Sequence, residues 1–208
     1  MAHVPASERR PQLIRAAIDL MTREGVSAGS TRAIAAELGV AQATVHYTFG
    51  TKKDLYRAVV EQLTADVMEQ VHSSAPAEGP FEEQVRAMVD GLWESSVGAE
   101  GRCVLLEEFA ALALRDPDLQ EIMSGLQKRT EETATAIISG VAEAHGLELA
   151  LPAHELAIQF LAGFDGLVTR YLVLRRAGEQ ADEEAARQLD LLVATMIGLC
   201  LGRPARTS

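Results

Sequence analysis

The sequence predicts an all-α protein of about nine helices, with a small N-terminal helix-turn-helix unit of three helices followed by a larger helical body. Three observations predict it. Apolar residues recur at helical spacing from Gln12 to Leu201, and no alternating Val/Ile-rich segment is bounded by turns. Residues 30–54, STRAIAAELGVAQATVHYTFGTKKD, read as helix, glycine turn, second short helix. Charge also divides along the chain. Through Arg57 there are 8 Lys and Arg against 5 Asp and Glu, whereas the remainder has 11 against 25. The functional division is expected at 51/52, giving domains 1–51 and 52–208, with a helix over 52–72 linking them.

Met1 to Arg10 has no apolar periodicity and reads as a flexible arm whose Arg9 and Arg10 either reach phosphates or lie solvated. Pro11 belongs in the first turn of a helix carrying Ile14, Ala17, Ile18 and Met21 on one face, and Gly25 ends it. Ser30 caps a short helix with Ile34, Ala35 and Leu38 turned inward, and Gly39 supplies a left-handed stop. In the next helix Val40, Val45 and Phe49 hold the apolar side, leaving Gln42, Ala43, Thr44, His46, Tyr47 and Thr48 for another surface.

An exposed helix about three turns long fits the major groove of B-DNA, roughly 12 Å wide. Gln42 and Thr44 can bond base edges or phosphates, the Ala43 methyl can lie near a thymine methyl, and Tyr47 and Thr48 can donate hydroxyls to phosphates. His46 can donate to a phosphate or simply pack. Lys52 and Lys53 open the next helix beside the expected backbone path. The same pattern also fits an ordinary helical corner with a solvated face.

Thr51 caps the helix from Lys52 to about His72, whose Leu55, Val59, Leu63, Val67 and Val71 share a face. At about 1.5 Å per residue it spans roughly 30 Å, long enough to start on the first domain and end in the body. SSAPAEGP, residues 73–80, breaks it. Further helices are expected over 81–96, 101–115, 119–145, 153–177 and 181–201, with breaks at 116–118 and at GLELALP, residues 146–152. The last two are apolar around much of their circumference, through Phe160, Leu161, Phe164, Leu167, Val168, Tyr171 and Leu172 and through Leu189, Leu192, Val193, Met196, Ile197 and Cys200. One face can bury within the chain and another can meet a partner.

The run from Ile14 to Leu55 resembles the DNA-binding domain of TetR-family transcriptional regulators. The resemblance rests on Ile14, Ala16, Ala17, Leu20, Met21, Gly25, Thr31, Ile34, Ala35, Leu38, Gly39, Val40, Thr44, Val45, Phe49, Lys52 and Leu55. It implies DNA contacts at Thr31, Arg32, Gln42, Ala43, Thr44, His46, Tyr47, Thr48 and Lys52. Three positions depart from the family pattern: Ala41 stands where many members have a capping serine, His46 in place of a tyrosine, and Gly50 in place of a proline. The resemblance further implies a homodimer through the last two helices, with Phe160, Phe164, Leu167, Tyr171, Leu192, Met196 and Cys200 at the interface. A two-fold protein would place its recognition helices about 34–36 Å apart on a palindromic double-stranded DNA operator. It implies, finally, a small-molecule effector pocket in the body, bounded by the linking helix and its neighbours. Candidates are Met68, Met88, Trp93, Phe109, Phe160 and Phe164, with Arg102, Glu107 and Asp165 as polar contacts.

No glycine-rich phosphate loop, HExxH or GxSxG motif is present, and adjacent carboxylates such as Glu107 and Glu108 point in different helical directions, so no catalytic residue is assigned. No cofactor is implied. His72, His145 and His154 are scattered, and Cys103 and Cys200 lie far apart without metal-binding spacing, which predicts no metal site and reduced thiols. No stretch reads as a signal peptide or as a membrane span, so a cytoplasmic protein is expected. The reading is therefore a ligand-responsive DNA-binding repressor. The alternatives are a helical carrier or interaction module with a purely structural helix-turn-helix, and, more remotely, an enzyme.

Overall fold

In the computed structural model, nine α-helices and one 3₁₀ turn run through the described residues. Those residues are 6–74, 79–98, 100–177 and 181–201 for the backbone, with side chains described over 8–65, 79–98, 100–177 and 181–201. The helices are α1 (Ala6–Glu24), α2 (Thr31–Glu37), α3 (Gln42–Phe49), α4 (Lys52–Ser74), α5 (Phe81–Gly98), α6 (Glu100–Ala113), α7 (Pro117–Ala144), α8 (Ala153–Arg176) and α9 (Ala181–Leu201), with the 3₁₀ turn at Val26–Ala28. The chain forms two compact units, one of Met1–Asp66 and Ala99–Leu126, the other of Val67–Gly98 and Gln127–Ser208. The cuts at 66/67 and 126/127 fall inside α4 and α7.

Most ends obey local chemistry. Ser30 Oγ accepts from the Ala33 N–H at 3.1 Å, and Gly39 adopts the left-handed φ of 67° that halts α2. Thr51 Oγ1 accepts from the Asp54 N–H at 3.1 Å and donates to the Asp54 carboxylate at 2.6 Å, fixing the first turn of α4. Asp116 Oδ1 accepts from the N–H groups of Asp118 and Leu119, with Pro117 at the first helical position of α7. The expected break at 116–118 lies at 114–116, and Pro117 and Asp118 already belong to α7.

Two expectations need correction. The arm expected over residues 1–10 is helical from Ala6, so Arg9 and Arg10 belong to α1. Tertiary contacts favour this: the Arg10 guanidinium lies 4.9 Å from the Phe49 ring centre and donates to the Thr48 carbonyl at 3.4 Å. Also, α3 has eight residues, just over two turns at about 3.6 residues per turn, rather than three.

In the first unit α1 is buried on more than the expected stripe. Leu13, Ala16 and Leu20 join Ile14, Ala17, Ile18 and Met21 in the core, because α1 packs against both the α2–α3 pair and α6. Ile34 and Ala35 of α2, Val45 and Phe49 of α3, Leu55, Val59 and Leu63 of α4, Phe109 of α6 and Ile122 of α7 complete that core. The 3₁₀ turn is held at both ends of one residue. The Val26 N–H donates to Glu108 Oε1 at 3.0 Å, and the Tyr56 hydroxyl donates to the Val26 carbonyl at 3.3 Å. Tyr56 also meets Phe109 edge-on, with ring centres 5.4 Å apart.

In the second unit α8 and α9 pack along each other and against α5. Trp93 of α5 meets Phe164 and Tyr171 of α8 edge-on at 6.1 and 5.2 Å, and the Ala150 N–H ties the 146–152 loop to the Cys200 carbonyl at 2.9 Å. Contrary to expectation, α8 reaches the length and mean hydropathy of a membrane span. Its inward residues Leu156, Ala157, Phe164, Val168, Tyr171 and Leu172 are buried in the chain.

Candidate nucleic-acid interface

Burying Val45 and Phe49 fixes how α3 is rolled, and the roll leaves Gln42, Ala43, His46 and Tyr47 exposed on the opposite side. Tyr47 is 91% exposed, more than any other large hydrophobic residue among those described. Among the described residues its ring meets nothing that would explain a tyrosine there. The α3 N-terminus has no side-chain cap, since Ala41 offers only a methyl; the Thr44 N–H donates to the Ala41 carbonyl at 2.9 Å, and the Gln42 and Ala43 N–H groups, without an acceptor among the described residues, stay open to an anionic oxygen.

Three outward residues bind one another. Gln42 Nε2 donates to Thr31 Oγ1 at 3.2 Å, and His46 Nε2 lies 3.4 Å from both Thr31 Oγ1 and Gln42 Nε2. The contacts are all satisfied when His46 Nε2 accepts and Nδ1 carries the proton. Thr31, the first residue of α2, thereby reduces the rotamer freedom of two α3 side chains before any ligand arrives. Thr44 is half-buried, and the Thr48 hydroxyl donates to the Thr44 carbonyl at 2.8 Å, a bond that would have to exchange for the phosphate contact expected of it.

Six cations of this unit differ in whether a carboxylate holds them. Arg23 pairs with Glu37 and Glu24 at 3.1 Å, Lys53 with Glu121 at 2.7 Å and Asp118 at 3.1 Å, and Arg57 with Asp54 and Glu121 at 3.1 Å. Lys53 is therefore turned to α7 rather than to the expected backbone path. Arg10, Arg32 and Lys52 have no carboxylate partner among the described residues. Arg10 reaches the last turn of α3 through Thr48, Arg32 follows Thr31, and Lys52 lies 4.9 Å above the Tyr56 ring three residues after α3. Sequence left Arg10 undecided because its position depends on Phe49, 39 residues away.

The second unit holds an apolar cavity of about 130 Å³ between α5, α7, α8 and α9. Met88 and Phe160 line it. Trp93 and Phe164 form the ring cluster beside it, Phe109 is fully buried in the first unit's core, Arg102 and Glu107 are half-buried on α6, and Asp165 is exposed on α8. The side chains of Met68 and His72 lie outside the described residues. Unforeseen is the α7 wall of Thr130, Thr133, Ala134, Ile137, Ile138 and Val141. Its i, i+3, i+4, i+7 spacing was the available signal.

Of the residues expected at a dimer interface, Phe160, Met196 and Cys200 line this cavity, while Phe164 and Tyr171 are buried against Trp93. Leu192 packs with Leu156, and Leu167 is half-buried. These side chains are thus engaged within their own chain. The outward apolar residues of the pair are Ile158 and Val173 on α8 and Leu191 and Leu199 on α9. No group of three or more metal-ligating side chains occurs among the described residues.

Residues 13–59 match the family profile described as bacterial regulatory proteins, tetR family, and residues 81–198 match the C-terminal domain of BetI-type transcriptional repressors. The chain is 29% identical over 168 residues to the nicotine-responsive transcriptional repressor HdnoR of Paenarthrobacter nicotinovorans, covering 79% of this chain and 84% of that one. It is 28% identical over 184 residues to the regulator BetI of Stenotrophomonas maltophilia, covering 87% and 88%. The fold is shared with a TetR-family regulator of Syntrophomonas wolfei, with TM-score 0.75, 18% identity and coverage of 94% and 98%. It is also shared with a putative regulator of Saccharomonospora viridis solved with choline, with TM-score 0.69, 22% identity and coverage of 89% and 96%. The chain belongs to the tetR family of bacterial regulatory proteins and is a ligand-responsive, DNA-binding transcriptional regulator.

Proposed function

We propose that this chain is a cytoplasmic homodimeric repressor without enzymatic activity. In this reading residues 1–51 bind a palindromic operator and residues 52–208 hold the effector and the dimer contact. The observation that carries it is the polar face of α3, with Tyr47 91% exposed and Arg10, Arg32 and Lys52 unpaired by carboxylates beside it. Thr31, Gln42, Ala43, His46 and Tyr47 read or position the groove, Arg32 and Lys52 grip phosphates, and Thr44 and Thr48 support them. The second copy docks on the outward stripe containing Ile158 and Val173 of α8 and Leu191 and Leu199 of α9.

The effector occupies the cavity of the second unit. Relatives carry the names nicotine-responsive repressor and regulator solved with choline, which supports a small organic molecule. Release runs through α4 and α7. α7 supplies one cavity wall with Thr130–Val141, and in its first turns Asp118 and Glu121 hold Lys53 and Arg57 of α4. An effector that favours one position of α7 would bias α4 and with it the α3 spacing.

The test selects sites from a random duplex library, then measures affinity by fluorescence anisotropy across salt concentrations. A palindromic site preferred by at least about a thousandfold over random duplex is expected. Equal affinity for all sequences would reject the reading, and a strictly monomeric protein in sedimentation would reject its dimeric form.

A further inference from the structure

Chemistry of the cavity wall narrows the effector class. Phe81 and Met88 on α5, Ile137 and Val141 on α7, Phe160 on α8 and Met196 on α9 face the space. Among the described residues no carboxylate, ammonium, guanidinium, amide or imidazole group lines it. Hydroxyls come from Thr130 and Thr133, and Thr133 Oγ1 already donates to the Arg129 carbonyl at 2.9 Å. Cys200 adds no charge, since burial pushes its thiol pKa upward.

A cation entering this space would leave water without a counter-charge to meet it. Two phenyl rings are a poor substitute, because phenylalanine is a weaker cation–π partner than tryptophan. Both rings already have neighbours: Phe160 stacks on Phe164 at 5.6 Å and Phe81 meets His145 at 5.8 Å. An uncharged apolar molecule loses nothing on entry and fills a void. A space of this size with aliphatic and aromatic walls suits a molecule of about the bulk of benzene or a substituted benzene. Resting on the reading of this cavity as the effector site, we propose that the effector is a neutral apolar compound with a buried part of about one aromatic ring, and not an amine or quaternary ammonium cation.

The chain carries its own reporter. Trp93 is its single tryptophan, and rings connect it to the cavity wall, from Phe160 to Phe164 at 5.6 Å and from Phe164 to Trp93 at 6.1 Å. The full-length protein is titrated with toluene and, separately, with choline chloride. Trp93 fluorescence, Tm and release of the selected operator duplex are read in each titration. Toluene is expected to give a saturable fluorescence change, a rise in Tm and operator release, and choline none of these at a hundredfold higher concentration. Ala134→Phe, which places a ring in the cavity, should weaken apparent toluene affinity by at least about tenfold. Circular dichroism checks its fold, and Ile137→Phe serves as a second obstruction should that variant fail to fold.

Absence of toluene binding, or toluene binding untouched by both obstructions, overturns the proposal. Choline binding that is tighter than toluene's and lost in the obstructed variants overturns the charge inference while leaving the cavity as the effector site. Toluene binding in the cavity without operator release would instead overturn the effector reading itself.

Discussion

Replacing Glu108 with alanine removes the acceptor of the Val26 N–H, a 3.0 Å bond between residues 82 positions apart. Val26 is 1% exposed, so water reaches the orphaned N–H poorly, and the penalty falls in the range of about 1–3 kcal/mol for an unsatisfied buried donor. For a chain of this size that corresponds to a fall in Tm of roughly 2–12 °C. Glu108→Gln keeps a carbonyl oxygen at nearly the same place and should recover most of the loss. Tyr56→Phe, which removes the 3.3 Å bond to the Val26 carbonyl, should cost about 0.5–1.5 kcal/mol. Because both groups grip one residue, the double variant should lose less than the sum of the two. Urea denaturation of the four variants, compared at the midpoint with unchanged slope, measures all of this. A wild-type midpoint for Glu108→Ala would show that the 3₁₀ turn does not depend on α6 and would refute the reasoning.

Ser30→Ala should cost about 1 kcal/mol by removing the cap on Ala33, whereas Ala41→Ser, at a backbone already extended, should add about 0.5–1 kcal/mol and be seen as a higher urea midpoint. Tyr47→Ala should leave the midpoint within about 0.5 kcal/mol, since the ring is 91% exposed, while lowering operator affinity in anisotropy. Lys53 donates to Glu121 and holds that carboxyl below the usual glutamate range. A lowered folded pKa contributes stability above the unfolded value and loses it as pH falls through the folded one. Glu121→Gln should therefore be slightly less stable than wild type at neutral pH and converge with it in acid, in melts recorded across pH.

Ser30, Gly39 and Thr51 were legible because each acts on backbone groups within three residues of itself, and the helix ends they set fall where the sequence puts them. The α3 face was legible for the same reason: Val45 and Phe49 fix its roll. Arg10 was not, because Pro11 signals a helix start locally while the helix before it gains support from Phe49 and Thr48, which only the fold brings near. The cavity was half legible. Hydropathy marks Phe160, Phe164, Met196 and Cys200 as residues that leave water, but on helices apolar around much of their girth it does not say whether a partner, a neighbouring helix or a void receives them. The contacts of Phe164 and Tyr171 with Trp93, and the place of Met196 and Cys200 at the cavity, arise only once α5 and α7 are in place.

A chain of net charge −11 binds a polyanion only if its cations are distributed unevenly between carboxylates and the DNA surface. Arg23, Lys53 and Arg57 are already matched by carboxylates and contribute little outward field. Arg10, Arg32 and Lys52, which have no carboxylate partner among the described residues, are the cations expected to meet phosphates. Three per protomer, doubled in a dimer, give a slope of log affinity on log salt of about −5. Lys52→Ala removes one contact from each protomer and should flatten the slope by roughly 2, while weakening operator and random duplex alike. Swapping the matched cation in Arg23→Ala should leave the slope unchanged. Should the arginine variant flatten it and the lysine variant not, the phosphate grip would lie on the α1–α2 side of the unit, and the docking of α3 inferred from its exposed tyrosine would have to be turned accordingly.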